Sequence, residues 1–525
     1  MGIRHVVLLS TALAHMASAA PAAPGIVQGR LEMQWGDSTV GQPGSRGSGR
    51  FRVNLVTDQG VRHALDPAQA RRAAGDLHAL SDRRVAVEFS RTVRTPGPPT
   101  ITSLVPADRL ALPAGDGSLY APSALTGNTR WITIACKFND IAAEQKPVSF
   151  FRSQYGAGPG LLDHYWREVS YGKINLAGSD AHGWFTLPKP RAQYIDSNTG
   201  NQSANLGLLF EDCVAAAEDA VDFTGAHGIN MMFNGELDGR AWGGRSCGDV
   251  EGSSVCVSTT WNPSTSFTNL AMLAHEMGHG YGLPHSDNSD NDADTYDNPW
   301  DLMSAYWSHV GYSGTYGALP KHLNIQQRER LGWVDLPRRL EIAEGANLTG
   351  VVLDRASLVA SGNVQMVVLP EPGSDATYRL EVRARVAGNS YEANLPGNAV
   401  IIHKIYNLGN VGYSVDADVP PADQASNEGS MFKVGETWVS PGNTAVTVTG
   451  ATANGFLISV SRKRFTGGNL PPRRATAHAT ATATAQPLRA EQAIELRPRQ
   501  VESRCVRNRA LPCVRRTEPA PSRRP

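Results

Sequence analysis

Three histidines and a glutamate between residues 275 and 285 have the types and spacing of a catalytic metal site. The stretch reads His-Glu-Met-Gly-His-Gly-Tyr-Gly-Leu-Pro-His. Because residues four apart lie on the same face of an α-helix, His275 and His279 can reach one metal ion at the ~2.0–2.1 Å of a zinc–nitrogen bond. Glu276 is rotated by about 100° from His275, which places it to hold water rather than to bind the metal. The pattern predicts a zinc ion that activates water.

His285 can join the same metal only if the helix ends soon after His279, because six more helical residues would carry it about 9 Å away. Gly282 favours the required turn, since glycine adopts the left-handed backbone conformation at little steric cost. Pro284 cannot continue a helix, and the apolar run Leu-Ala-Met-Leu-Ala before His275 predicts a buried helix over residues 268–281. The complete pattern favours a zinc hydrolase over the structural role that a lone His-x-x-x-His pair usually has.

The stretch resembles the metzincin metallopeptidases, which bind zinc through three histidines and carry a methionine turn later in the chain. By this resemblance Met303, in Asp301-Leu302-Met303-Ser304, is the methionine beneath the metal. The wider sequence is most similar to the gametolysin and immune-inhibitor-A type, in segments at 165–172, 183–188, 297–304 and 331–334. Matrixins are a rival type because Ser286 also follows their third histidine, but their cysteine-bearing propeptide motif is missing here. The resemblance covers about residues 130–336 and implies an α/β (α+β) catalytic domain.

The chemistry implied is hydrolysis of internal peptide bonds in a protein or peptide substrate. Three histidine ligands leave a fourth position for water, and Glu276 is expected to serve as its general base. Tyr306, three residues after Met303, is a candidate oxyanion aid, although metzincins with such a tyrosine usually place it two residues after the methionine. The resemblance also implies that the strand just before the metal helix binds substrate by strand addition.

Two other functions stay open. A zinc-dependent amidase or deacylase acting on cell-wall or glycan material would use the same metal chemistry. A catalytically idle zinc-bearing adhesion protein is the other, although an intact Glu276 argues against it.

The composition is typical of a soluble globular protein, with 41% apolar and 19% charged residues among 525. Twelve arginines and four acids in residues 466–525 give a balance of +8, so residues 1–465 carry −8 within a net charge of zero. The main part of the chain therefore has no general affinity for nucleic acid. Residues 1–19 have the charged start, apolar run and Ala-Ser-Ala end of a secretory signal peptide. No segment is long and apolar enough to predict a membrane span, so we expect a secreted, extracellular protein.

Six cysteines fit that oxidising destination. Cys247 and Cys256 are close in sequence, and Cys136 with Cys213 and Cys505 with Cys513 would complete a pairing. Spacing alone does not establish these disulfide bonds.

Residues 20–125 are expected to form a small β-rich domain, with strands near 29–35, 50–56 and 84–89 and a helix at 66–80. This segment is either a propeptide that keeps a protease latent or a permanent domain. Residues 20–135 contain no cysteine, so a propeptide here would need a group other than a thiolate to act on the zinc.

Residues 126–336 read as the catalytic domain, with strands at 131–138, 229–233 and 255–260 and helices at 161–169 and 205–222. Residues 337–465 carry about seven short apolar runs, one of them at 432–434, which predict a C-terminal β-sandwich. Residues 466–525 are rich in Ala, Thr, Pro and Arg and predict a disordered basic tail.

An acidic loop between the third histidine and the methionine turn is a possible calcium site in addition to the zinc. Asp290, Asp292 and Asp294 have the spacing at which an EF-hand begins. Thr295 stands where that motif needs glycine, and no glutamate closes the loop, so a solvated acidic loop is the competing interpretation.

Overall fold

The computed structural model describes residues 25–39, 49–81, 83–90, 100–109, 124–196, 202–289, 295–388, 391–406, 411–417 and 428–463. All of them lie in one compact unit, Met1–Pro471. The signal peptide at 1–19, the tail at 466–525, the pair Cys505 and Cys513, and the three aspartates Asp290, Asp292 and Asp294 lie outside the described residues. The described part is of the mixed α/β class, with extended sheets and few helices.

The N-terminal segment, residues 25–109, is mainly β-structure. Its elements are β1 Ile26–Ser38, β2 Arg50–Val56, β3 Arg62–Leu65, α1 Pro67–Ala74, β4 Arg84–Phe89 and β5 Ile101–Pro106. The three predicted strands match β1, β2 and β4. The predicted helix at 66–80 is too long, because Gly75 takes a φ of 72° and ends α1, and only a 3-10 turn follows at His78–Leu80.

The catalytic segment, residues 124–336, contributes strands β6 to β17 and helices α2 to α6. The strands are β6 Gly127–Asn128, β7 Trp131–Lys137, β8 Ile174–Asn175, β9 Asp180–Thr186, β10 Ile195–Asp196, β11 Ser203–Ala204, β12 Gly228–Phe233, β13 Arg240–Val250, β14 Ser253–Asn262, β15 Asp287–Asn288, β16 Tyr312–Ser313 and β17 Gly317–Ala318. The helices are α2 Val148–Ser153, α3 Leu162–Val169, α4 Leu206–Ala217, α5 Leu270–Gly280 and α6 Ile325–Arg330. The predicted strands match β7, β12 and β14, and the predicted helices match α3, α4 and α5.

One sheet joins the two segments, in the order β3-β2-β1-β13-β14-β12-β7-β9, with β4 paired to β1 and β5 to β4. Strands β14, β12, β7 and β9 are parallel, whereas β13 is antiparallel to β14 and β1 is antiparallel to β13. Alternate residues of β7 face opposite sides. Trp131 and Ala135 pack with α3 and α5, whereas Ile132, Ile134 and Cys136 pack with α4. The sheet therefore separates the metal helix from α4.

The expectation about the substrate-binding strand is wrong. The strand just before the metal helix is β14, and it lies inside the sheet between β13 and β12. Among the catalytic segment's own strands, β13 is the outermost on that side, and its free edge is taken by β1. The sequence of β13, Arg-Ala-Trp-Gly-Gly-Arg-Ser-Cys-Gly-Asp-Val, has three glycines and no sustained apolar alternation, so pattern analysis missed it.

Two disulfide bonds brace this sheet, and both are among the pairings that the sequence left open. Cys136–Cys213 joins β7 to α4 across the α4 side of the sheet. Cys247–Cys256 joins directly opposed residues of β13 and β14. No helix among the described residues is long and apolar enough to cross a membrane.

The C-terminal segment, residues 337–463, is built from two sheets. Its strands are β18 Arg339–Glu341, β19 Asn347–Asp354, β20 Met366–Pro370, β21 Ala376–Arg383, β22 Ala399–Tyr406, β23 Gly412–Ser414, β24 Thr437–Val439, β25 Thr444–Ala451 and β26 Gly455–Arg462. The sheet orders are β15-β23-β22-β21-β20-β18 and β19-β26-β25-β24, and residues of both pack in one apolar core. The run at 432–434 forms no strand, because Phe432 makes only an isolated bridge with Val400.

The C-terminal segment holds the loop that follows the metal helix. Strand β15, two residues beyond His285, pairs in parallel with β23 of the C-terminal sheet. The Trp300 indole N–H donates to Ser430 Oγ at 2.9 Å, and the Arg383 guanidinium donates to the Trp300 carbonyl. The loop that follows the metal helix and the C-terminal segment are therefore connected by direct hydrogen bonds.

A buried ion pair supports this connection. Arg383 Nη2 lies 2.6 Å from Glu392 Oε1, and neither side chain is exposed. Burial alone would raise the pKa of Glu392, but the positive charges of Arg383 and His322 outweigh it and lower the pKa. Both groups are therefore ionised, and each compensates the buried charge of the other.

We expect Arg383→Met to lower the free energy of unfolding by about 3–5 kcal/mol, because it leaves the Glu392 carboxylate buried without its partner. The measurement is urea unfolding of the full chain. Arg84→Met, which removes an exposed pair with Asp58, is the matched control and should leave the urea midpoint close to wild type. Equal shifts for the two variants would contradict the assigned role of the buried pair.

Candidate active site

Helix α5 positions the first two histidines. The Asn269 side chain accepts a hydrogen bond from the Met272 amide at 3.1 Å and caps the start of the helix. All eleven residues of α5 are buried. At its end the Leu283 amide donates to the Gly278 carbonyl at 3.1 Å, and Gly282 takes a φ of 87°. The left-handed turn predicted at Gly282 is therefore present, and it directs the chain back towards the metal helix.

The three histidines converge through their Nε2 atoms. His279 Nε2 lies 3.1 Å from the Nε2 atoms of both His275 and His285. Nitrogen ligands about 2.0–2.1 Å from one zinc ion in a tetrahedron are about 3.3–3.4 Å apart. The spacing is close to that of three ligands sharing one metal.

Backbone carbonyls orient two of these rings. His275 Nδ1 lies 2.7 Å from the Leu302 carbonyl, and His279 Nδ1 lies 2.7 Å from the Leu283 carbonyl. A carbonyl can only accept, so each Nδ1 carries the proton and each Nε2 presents its lone pair. Burial lowers the pKa of His279 to about 3, which also favours the neutral form that binds metal.

A fourth potential ligand, Asp37, comes from strand β1 of the N-terminal segment. Its Oδ1 lies 2.7 Å from His285 Nε2, and its Oδ2 lies 3.3 Å from His279 Nε2 and 3.4 Å from His275 Nε2. Burial would raise the pKa of Asp37, but His285 and His275 outweigh it and hold the pKa well below its usual range. Asp37 and the three histidines form a buried group whose chemistry fits zinc.

Sequence reasoning missed Asp37, which is 248 positions from the histidine it contacts most closely. It is one of 49 acidic residues, and its neighbours form no recognisable motif. Tyr296 was missed for the same reason: its hydroxyl donates to Asp37 Oδ1 at 2.5 Å, and its ring lies 5.3 Å from that of His285.

Glu276 lies beside the ligands on the side of β13. Both of its carboxyl oxygens are buried, and the neighbouring Asp37 carboxyl is its hydrogen-bonding neighbour. A Cβ atom at Gly243 of β13 would lie 2.8 Å from Glu276 Oε2, so glycine allows this close approach. Burial, followed by the negative charge of Asp37, raises the pKa of Glu276 well above its usual range. The protonated carboxyl is therefore favoured while Asp37 is present.

Met303 packs against the metal helix at Gly278. A Cβ atom at Gly278 would meet the Met303 sulfur at 2.5 Å, so the two residues are in direct contact. Asp301 fixes the turn by accepting from the Met303 amide at 3.2 Å and from the Ser286 hydroxyl at 2.7 Å. Met303 therefore contacts the metal helix, and its role as the hydrophobic floor stays a prediction.

Tyr306 lies beside His275. Its ring centroid is 5.1 Å from that of His275, and its hydroxyl donates to the Ser38 carbonyl at 2.8 Å. Burial and the charge of Asp37 raise the pKa of Tyr306 well above its usual range, so the hydroxyl remains a donor. Tyr306 therefore contacts the backbone of the strand that carries Asp37.

Residues 188–315 match the family model described as metallo-peptidase family M12. The matched range includes β13, β14, α5, the three histidines, Met303 and Tyr306. A search of curated proteins finds no match to the chain. The family match over residues 188–315 and the converging histidines support a metzincin-type zinc metallopeptidase.

Proposed function

We propose that the protein is a secreted zinc-dependent endopeptidase in which Glu276 is the general base. The observation that carries the proposal is the convergence of three imidazole Nε2 atoms next to the fully buried carboxyl group of Glu276. Zinc held by His275, His279 and His285 would supply a Lewis acid and lower the pKa of a bound water. The remaining chemistry belongs to the side chains around it.

Glu276 has the position and environment for proton transfer. Once Asp37 has left the histidines, the negative charge that helps to hold a proton on Glu276 is removed. Glu276 then accepts the proton of the attacking water and delivers it to the leaving amine. Tyr306, whose hydroxyl already donates to a backbone carbonyl beside the histidines, is proposed to donate to the oxyanion of the substrate.

Strand β13 supports a peptide rather than a glycan as the substrate. Residues 240–244 pair antiparallel with the extended chain of residues 34–38. Such pairing recognises a peptide backbone through main-chain hydrogen bonds, which a glycan cannot provide. When β1 is displaced, the same edge becomes available to a substrate strand.

Secretion is proposed from the signal-like residues 1–19 and is supported by the two disulfide bonds, which persist in oxidising compartments. The closer likeness to the gametolysin and immune-inhibitor-A type stays a hypothesis. Calcium binding by Asp290, Asp292 and Asp294 also stays a prediction.

We expect Glu276→Ala to reduce casein hydrolysis by about 10³-fold while one zinc per chain is retained, because Glu276 transfers protons and does not bind the metal. The assay uses the form of the protein that accumulates in culture medium, with its N-terminus determined by mass spectrometry. Glu144→Ala, which removes an exposed carboxylate paired with Lys137, is the control and should cleave like wild type. Hydrolysis by Glu276→Ala at the wild-type rate would refute the mechanism.

We expect Tyr306→Phe to lower kcat by about 10²-fold with little change in KM, because the lost hydroxyl is proposed to act only on the developing oxyanion. Steady-state kinetics on a casein-derived peptide measures both constants. Tyr312→Phe removes the hydroxyl of an 80% exposed tyrosine and serves as the control. Unchanged turnover would remove Tyr306 from the mechanism and leave it a packing residue.

A further inference from the structure

We propose that Lys321 and Gln327 are positioning residues of the metal site. Lys321 holds the loop that orients His275, and Gln327 holds the backbone directly before His285. The proposal rests on the zinc site of the proposed function and is independent of the reaction performed there.

Lys321 contacts both ends of the loop that contains the methionine turn, residues 301–304. Its Nζ donates to the Pro299 carbonyl at 2.8 Å and lies 3.5 Å from Ser308 Oγ. Ser308 Oγ donates in turn to the Ala305 carbonyl at 3.2 Å. One ammonium group therefore joins the backbone before the turn to the backbone after it.

The carbonyl that orients His275 lies within this loop. His275 Nδ1 is 2.7 Å from the Leu302 carbonyl, and the Leu302 amide donates at 3.3 Å to the carbonyl of His322, the residue after Lys321. The chain around Lys321 therefore holds Leu302 directly through a backbone hydrogen bond, and it holds the start of the loop through the Lys321 ammonium group. A ligand whose ring nitrogen is oriented in this way depends on the position of its acceptor.

Two buried cations bind consecutive carbonyls of the loop. Lys321 donates to the Pro299 carbonyl, and the Arg383 guanidinium donates to the next one, that of Trp300. Neither cationic side chain is exposed. Because both approach the backbone just before the methionine turn, they restrict the same stretch of chain.

The burial of Lys321 argues against a role in stability alone. Burial, and then the positive charge of Arg383, lower the pKa of Lys321 to about 7, while the negative charges of Asp301 and Glu392 oppose that change. Placing an ammonium group in such a site costs stability, and an apolar residue of similar volume is often tolerated there. We therefore assign Lys321 to holding the loop rather than to stabilising the fold.

Gln327 acts on the third histidine. It lies in α6 and has no exposed surface, and its Nε2 donates to the Pro284 carbonyl at 2.8 Å. Its backbone amide donates at 2.8 Å to Asn324 Oδ1, which caps the start of α6. Pro284 directly precedes His285, whose Nε2 lies 3.1 Å from that of His279. Holding the Pro284 carbonyl therefore limits the backbone movement available to His285.

The test measures zinc affinity rather than catalysis. The zinc dissociation constant of the full chain is determined by competition with a fluorescent zinc chelator. Partners that orient metal ligands typically contribute about 10–100-fold to metal affinity, so we expect Lys321→Met and Gln327→Met each to raise the dissociation constant by about that factor. The thermal unfolding midpoint of metal-free Lys321→Met should stay close to wild type, because the buried charge is removed together with its hydrogen bonds.

Two controls separate positioning from general effects. Lys433→Met makes the same chemical change at an exposed lysine paired with Glu428, and it should bind zinc like wild type. Ile458→Ala opens a cavity in the C-terminal core, so it should lower the unfolding midpoint and leave the zinc affinity unchanged. Gln327→Met is the second variant should Lys321→Met not fold. Equal zinc affinities for wild type and the folded variants would overturn the proposal.

Casein hydrolysis, measured on the form that accumulates in culture medium, separates this proposal from the proposed function. Equal zinc affinities together with casein hydrolysis by wild type would overturn the positioning role and leave the peptidase function intact. A wild-type chain that binds one zinc and cleaves no protein, with weaker zinc binding in the two variants, would support the positioning role and count against the endopeptidase.

Discussion

The structure depends on holding three buried imidazoles with their Nε2 atoms close together, His279 Nε2 being 3.1 Å from the other two. Each ring could rotate away from this arrangement, so hydrogen bonds to fixed carbonyls are needed to keep the geometry. The carbonyls of Leu302 and Leu283 supply them, and both belong to turns outside the metal helix. The site therefore requires the chain after α5 to return and pack beneath it.

Residues that do not contact the three Nε2 atoms hold the returning chain in place. Asp301 joins the methionine turn to Ser286, the residue after the third histidine. The next strand, β15, adds to the C-terminal sheet, and the Arg383 guanidinium donates to the carbonyl of Trp300 in the same loop. The C-terminal segment thus fixes the backbone position of the loop that follows the third histidine. Among the described residues it contributes no metal ligand itself.

Local sequence patterns were sufficient to predict the elements that depend only on residues close to them in sequence. His275 and His279 are one helical turn apart, Gly282 must end the helix, and strand β7 is a continuous apolar run, so each could be predicted from its own neighbours. Asp37 and β13 could not. Asp37 acquires its role only when β1 pairs with β13, and β13 is glycine-rich because it must approach Glu276 and β1 closely. Tertiary contact, not residue propensity, determines both.

The edge of strand β13 that lies beside Glu276 can pair with any extended chain. An unpaired strand edge beside a metal-activated water binds any extended peptide through main-chain hydrogen bonds, with little dependence on side chains. Strand β1 of the same chain pairs with that edge, and Asp37 in this strand lies 2.7 Å from His285 Nε2. Gly243 and Gly244 make this pairing possible, because a Cβ atom at Gly243 would lie 2.8 Å from Glu276 Oε2 and one at Gly244 would lie 2.0 Å from the Met33 carbonyl oxygen.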